Sequence, residues 1–170
     1  MQASVTMKGR PLTLVGTQPE VGSQAPPFTC LDRDLLAVSL ANLAGRPKLI
    51  SSVPSLDTPV CEMQTRRFNQ EAAALPPQVQ IMTISMDLPF AQARFCTTYG
   101  IERLLVLSDH RDASFGRAYG LLIPELRLLA RAVLVLDAAD VIRHFQIVPE
   151  LTEHPDYDAA LEAVRSVAGV

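Results

Sequence analysis

Only three cysteines occur among 170 residues, Cys30, Cys61 and Cys96, and no two of them form a CxxC pair. Three cysteines do not make a structural disulfide framework, and in a reducing compartment they are read as chemistry or packing. No apolar run reaches the roughly 18 residues of a membrane span. The nearest, residues 121–136, is interrupted by Pro124, Glu125, Arg127 and Arg131. The start, Met1-Gln2-Ala3-Ser4-Val5-Thr6, has no charged segment followed by an apolar one, so the expectation is no signal peptide and a cytoplasmic protein. An excess of basic charge is missing too. Fifteen Lys and Arg face eighteen Asp and Glu, for a net charge of −3, and a phosphate footprint needs a basic face. The adjacent pair Arg66-Arg67 reads as a solvated helix face. Nucleic acid and membrane are therefore not expected partners. His110, His144 and His154 have no HxH or HExxH spacing, so no metal site is expected. There is no GxGxxG, P-loop or GxSxG, and 116–120 reads as a helix end.

What is present suits one α/β domain over residues 1–170. The hydrophobic fraction, 48%, is enough for a substantial core. Residues 5–7 and 11–14 flank Lys8-Gly9-Arg10 and predict an N-terminal hairpin, an extension over residues 1–16. Residues 16–30, rich in Gly and Pro, predict an extended connection, and 40–43 a short helical turn. Apolar strands are expected at 49–53, 79–85, 104–107, 132–136 and 141–147. Helices are expected at 59–75, from near Asp87, with Pro89 early in it, to a close at Gly100, at 112–119 and at 155–167. The resulting order, β-α-β-α-β-α-β-β-α, calls for a mixed sheet with helices on both faces. The last two strands should pair antiparallel, because their connection is too short for a crossover.

The local setting of Cys61 is the informative feature. Thr58 has the side chain of an N-cap, and Pro59 suits the first helical position, where its missing N–H is not needed. Cys61 then lies in the first turn, where backbone N–H groups without intrahelical partners favour a negative sulfur. A buried structural thiol is the plain alternative. For a nucleophile, ionisation is only part of the task. A thiol with the ordinary pKa of about 8.5 is about 3% ionised at pH 7. Full ionisation therefore gains at most about 30-fold, or roughly 2 kcal/mol. A helix N-terminus supplies about 0.3–1 kcal/mol, so a nearby cation is needed.

Pro54, Thr58 and Cys61 reproduce a PxxxTxxC pattern, and the chain resembles the peroxiredoxins. The stretches Leu88-Pro89-Phe90-Ala91-Gln92-Ala93-Arg94-Phe95-Cys96 and Ala130-Arg131-Ala132-Val133 resemble the thiol peroxidase branch of that family, the atypical two-cysteine type. The likeness runs over nearly the whole chain. It implies a thioredoxin-like fold with a mixed central sheet. It also implies Cys61 as peroxidatic cysteine and Cys96 as resolving cysteine, joined in an intrachain disulfide during turnover. Thr58 and Arg131 would assist Cys61 and bind the peroxide, and Pro54 would shield the sulfur. Hydrogen peroxide or an organic hydroperoxide would be the substrate and thioredoxin the reductant. A homodimer is implied, and no metal, haem, flavin or other cofactor.

The Thr58 hydroxyl, Arg131 and the Cys61 N–H are expected to act as donors to the peroxide oxygens. Cys30 is expected to serve packing, and Arg94 either the second layer of the site or the surface. Ser51-Ser52 and the 121–129 loop depart from many relatives and leave the peroxide preference open. Two rivals stand beside the peroxidase: a thiol–disulfide oxidoreductase, weakened by the missing CxxC, and a redox sensor whose Cys61 oxidation changes partner contacts.

Overall fold

A computed structural model describes residues 4–170; the first three residues of the expected domain, and of the stretch read for a leader, lie outside the described residues. Strands β1 (Val5–Met7) and β2 (Arg10–Leu12) form the expected antiparallel hairpin. Lys8 and Gly9 turn it with φ of 51° and 77°, the two-residue turn whose twist matches that of its strands. The chain continues through β3 (Thr29–Leu31), β4 (Ala37–Ser39) and a 3₁₀ turn at Leu40–Leu43 to β5 (Lys48–Ser52). Two βα units follow: α1 (Pro59–Glu71), β6 (Gln80–Ser85), α2 (Pro89–Tyr99) and β7 (Leu105–Ser108). After α3 (Ser114–Ala118) come a small ribbon, β8 (Leu122–Ile123) and β9 (Leu128–Leu129), then β10 (Ala132–Leu136), β11 (Ile142–Ile147) and α4 (Tyr157–Ala168).

The central sheet has seven strands in the order β11-β10-β5-β6-β7-β3-β4. The three middle strands are parallel, as their helical crossovers require. The strands on either side are antiparallel. The expected mixed sheet and its antiparallel last pair are both present. Asp137 makes the β10–β11 turn by accepting from the Ala139 and Val141 N–H groups.

Alternation along β5 divides the core. Leu49 faces α1, α2 and α4 with Phe68, Phe95, Leu161 and Val164. Ile50 faces the other way, toward Phe28, Phe115, Tyr119 and Leu121. By the same period Ser51 points to the α1 side and Ser52 away from it, a parity that matters at the site.

Three expectations change. The connection over 16–30 ends in a strand, and β3–β4 is an antiparallel edge pair. Three-residue strands are too short for a period-2 signal, and the sheet edge recruits them through one register pair, Leu31 with Ser108. Helix α1 stops at Glu71 rather than at residue 75, passing into a 3₁₀ turn, because Pro76 keeps Leu75 extended. Helix α3 begins at Ser114 rather than at residue 112, after Ala113 at φ 49°. Helix α2 opens near Asp87 and closes at Gly100 as expected, with Leu88 at the N-cap position and the Asp87 carboxylate turned elsewhere. Among the described residues no helix is long and apolar enough to cross a membrane.

Candidate active site

Sheet register brings Cys61 and Arg131 together. Strands β5 and β10 pair antiparallel with Ser52 opposite Ala132. Arg131, one residue before β10, is therefore level with Val53, where β5 gives way to residues 54–58. Those residues lead straight into α1, so the first helical turn sits over the arginine. The location, outside the carboxyl end of β5, is where open α/β sheets hold ligands.

Cys61 is fully buried. Its Sγ accepts a hydrogen bond from Arg131 Nη2 at 3.3 Å. Arg131 is itself 2% exposed. Its Nε and Nη2 donate to the Leu151 carbonyl at 3.1 and 2.6 Å, and Nη1 donates to Gln64 Oε1 at 2.9 Å. Gln64 in turn donates from Nε2 to Ser51 Oγ at 2.7 Å. None of the ion pairs among the described residues includes Arg131. Its positive charge is thus held by neutral acceptors and not cancelled by a carboxylate, so it acts on the sulfur at low local dielectric. A guanidinium has five N–H donors. These four bonds use all but one of them, on Nη1.

The Leu151 carbonyl is held in place by the N-terminal hairpin. Leu151 N donates to Thr6 O at 2.9 Å. Beside it, the Glu150 carboxylate accepts from Thr6 Oγ1, Lys8 N and Gly9 N. The Thr6 hydroxyl and these backbone N–H groups hold the Glu150 carboxyl down at about 2. Met7 extends from the hairpin to a pocket of about 300 Å³, which Pro54, Val60, Leu128 and Leu151 line with Arg131 at its wall.

Thr58 departs from its expected role. It occupies the N-cap position with extended backbone, φ −111° and ψ 147°, but its side chain does not cap the helix. Its hydroxyl donates to the Ser55 carbonyl at 2.8 Å. The hydrogen is committed there, so toward the pocket Thr58 presents an acceptor rather than the expected donor. The N–H groups of Val60 and Cys61 consequently have no side-chain cap, and Pro59 brings no N–H. Pro54 is buried and lines the pocket.

Cys96 lies on α2, 3% exposed, and all three cysteines are free. Burial raises its thiol pKa, with Arg33 acting in the opposite direction. Cys61 and Cys96 belong to the same apolar cluster, and Cys30 to the one on the other face of the sheet. The Cys30 thiol meets Asp109 Oδ1 at 3.5 Å. Burial, then the Asp109 charge, push its pKa far above the usual range. Its proton is therefore held in the folded chain to a pH at which the unfolded chain has lost it. This contribution is complete below about pH 8.5 and is lost as pH rises beyond. Iodoacetamide at pH 8.5 is expected to leave Cys30 unmodified in folded protein and to alkylate it in urea, as mass mapping would show. Equal labelling in both states would contradict its sealed position. Arg94 is exposed on α2, beside a hollow shared with Asp57 and Tyr99.

Gln64, Ser51 and the Leu151 carbonyl are the site groups that sequence reasoning missed. One signal pointed to Gln64: it lies three residues after Cys61, hence on the same helix face, which also buries Thr65 and Phe68. Ser51 carried the parity signal of β5. Nothing marked the Leu151 carbonyl, because a backbone group has no residue type.

Residues 20–161 match the Redoxin family model. A thiol peroxidase of Halalkalibacterium halodurans is 54% identical over 164 residues, covering 96% of this chain and 98% of its own. A thiol peroxidase of Bacillus subtilis is 52% identical over 165 residues, covering 97% and 98%. Among solved structures, a peroxiredoxin-like protein from Aquifex aeolicus superposes with a TM-score of 0.91 at 40% identity, covering 98% of each chain.

Proposed function

The chain belongs to the Redoxin family and is a thiol-dependent peroxidase of the peroxiredoxin type, and we propose that it works through Cys61, with Cys96 and thioredoxin completing the cycle. The observation that carries the assignment is the Arg131 Nη2 to Cys61 Sγ contact of 3.3 Å, made by an arginine with no carboxylate partner among the described residues.

In the first step the Cys61 thiolate attacks one peroxide oxygen. The S–O bond forms as the O–O bond breaks, and two electrons pass from sulfur to the peroxide. The departing oxygen leaves as alkoxide or hydroxide and takes up a proton, giving an alcohol or water. The free Nη1 N–H of Arg131 and the first-turn N–H groups stabilise the charge that develops on it. The Thr58 oxygen accepts from the peroxide O–H and orients it. Cys61 is left as a sulfenic acid. The thiolate of Cys96 then attacks that sulfur, expelling hydroxide, and the Cys61–Cys96 disulfide forms. Thioredoxin reduces it by thiol–disulfide exchange.

The apolar lining of the pocket, with Met7, Val60 and Leu128, supports organic hydroperoxides as substrates beside hydrogen peroxide. The catalytic unit on this reading spans residues 1–170 and acts in the cytoplasm as a homodimer, which sedimentation and cell fractionation would test. The assay for the function couples peroxide loss to NADPH oxidation through thioredoxin and its reductase. Consumption that requires protein, peroxide and thioredoxin together is expected. Stoichiometric oxidation without turnover would reject the enzymatic cycle in favour of a sensor.

A further inference from the structure

Asp87 joins the segment that carries Cys61 to the one that carries Cys96. It lies between β6 and α2. Its Oδ1 accepts from Ser55 Oγ at 2.8 Å, and its Oδ2 accepts from Leu56 N at 2.8 Å and Ser85 Oγ at 2.7 Å. Its carbonyl accepts from Ser108 Oγ at 2.6 Å on β7. No ion pair among the described residues involves it, so its charge is spent on these donors.

Ser55 is the hub on the other side. Its carbonyl receives both the N–H and the hydroxyl of Thr58, and its Oγ accepts from Asp57 N at 3.2 Å. Fixing Ser55 therefore fixes Thr58 and the start of α1. On the α2 side, Gln92 donates to the same Ser85 Oγ that Asp87 holds. One carboxylate thus ties the loop before Cys61 to the strand end and helix from which Cys96 projects.

The two sulfurs are buried on separate helices and unbonded. A disulfide needs Cα atoms within about 7 Å, and in the cycle proposed above the first turn of α1 and the segment around Cys96 rearrange to meet. A movement of residues 54–58 with that turn breaks the Ser55 and Leu56 bonds to Asp87.

We propose that Asp87 is a positioning residue that holds the 54–58 loop in the arrangement that reduces peroxide and thereby opposes the arrangement in which Cys96 reaches Cys61. The inference rests on the two-cysteine cycle proposed above. In the step it controls, the Cys96 thiolate bonds to the Cys61 sulfur, the S–O bond of the sulfenic acid breaks, and the hydroxide released is protonated to water. No further oxidant is required.

The test measures both steps in Asp87→Asn by rapid mixing with one equivalent of hydrogen peroxide, acid quench, alkylation and mass analysis. Asparagine keeps the shape but turns one acceptor oxygen into an NH₂ group, which leaves at least one of the three donors unmatched. The peroxide rate constant is expected to fall about 10-fold and the rate of disulfide formation to rise about 10-fold, about 1.4 kcal/mol in each barrier. Sulfinic acid at Cys61 under excess peroxide should decrease accordingly. A residue that merely supports the fold would not move the two rates in opposite directions. Ser55→Ala removes one bond of the latch while keeping the carboxylate, and is expected to shift both rates the same way by a smaller factor, so the question stays open to test if Asp87→Asn does not fold. Two rates that fall together, or a resolution rate that does not change, would overturn the proposal. Wild-type protein that forms no Cys61–Cys96 disulfide would instead overturn the cycle on which it rests.

Discussion

Replacing Arg131 by methionine is expected to slow the reaction of Cys61 with peroxide by about 10²–10³, the usual effect of removing one preorganised donor from a buried site. Methionine roughly fills the volume but removes every N–H. The sulfur loses its Nη2 contact, and Gln64 loses its Nη1 donor. The substitution also orphans Gln64 Oε1 and the Leu151 carbonyl, at about 1–3 kcal/mol for each acceptor left buried and unpaired. Removing a buried charge offsets part of that cost. Thermal denaturation must therefore accompany the kinetics, so that loss of fold is not read as loss of catalysis. Arg131→Lys separates charge from geometry. A lysine keeps the cation but cannot span Gln64, Leu151 and the sulfur at once, because it lacks the planar fork. An intermediate rate is expected for lysine. Peroxide kinetics in folded Arg131→Met equal to those of the wild type would show that the contact at Cys61 is only structural.

Cys96→Ser is expected to leave the first turnover intact and to lower steady-state turnover with thioredoxin by about 100-fold or more, since the sulfenic acid then lacks its condensing thiol. Mass analysis should find Cys61 heavier by one oxygen after one equivalent of peroxide, and by two or three with excess. Cys30 cannot take over, because it lies on the opposite face of the sheet against Asp109 and keeps its proton. Cys96 sits in an apolar cluster, so the buried serine hydroxyl is expected to cost about 1–3 kcal/mol of stability, which thermal denaturation would show. In the wild type, the proposed bridge would close a loop of about 35 residues and stabilise the oxidised chain by about 3.8 kcal/mol in the chain-entropy picture, which would offset a local rearrangement. Undiminished thioredoxin-dependent turnover in Cys96→Ser would place resolution on another thiol.

Much of the frame was legible in the sequence because it depends on local chemistry. Proline at the first helical position set the start of α1, Gly100 in the left-handed region ended α2, and the run 132–136 became β10 without change. Where local signals were short or absent, the edge pair β3–β4 and the ribbon β8–β9 went unread. Thr58 shows the limit most clearly. Its type predicted a cap, yet its hydroxyl turns to Ser55, within a loop that the Asp87 carboxylate some 30 positions away also holds.

The sequence by itself determined that one cysteine begins a helix after a strand, and that strands and helices alternate around a single apolar core. Tertiary structure alone decided what surrounds that sulfur. Arg131 is 70 residues from Cys61 and 67 from Gln64, and it meets them only because β5 and β10 pair in one register. Local propensity fixes backbone angles over a few residues, whereas the polar partners of a buried side chain are set by which distant segments the sheet brings side by side.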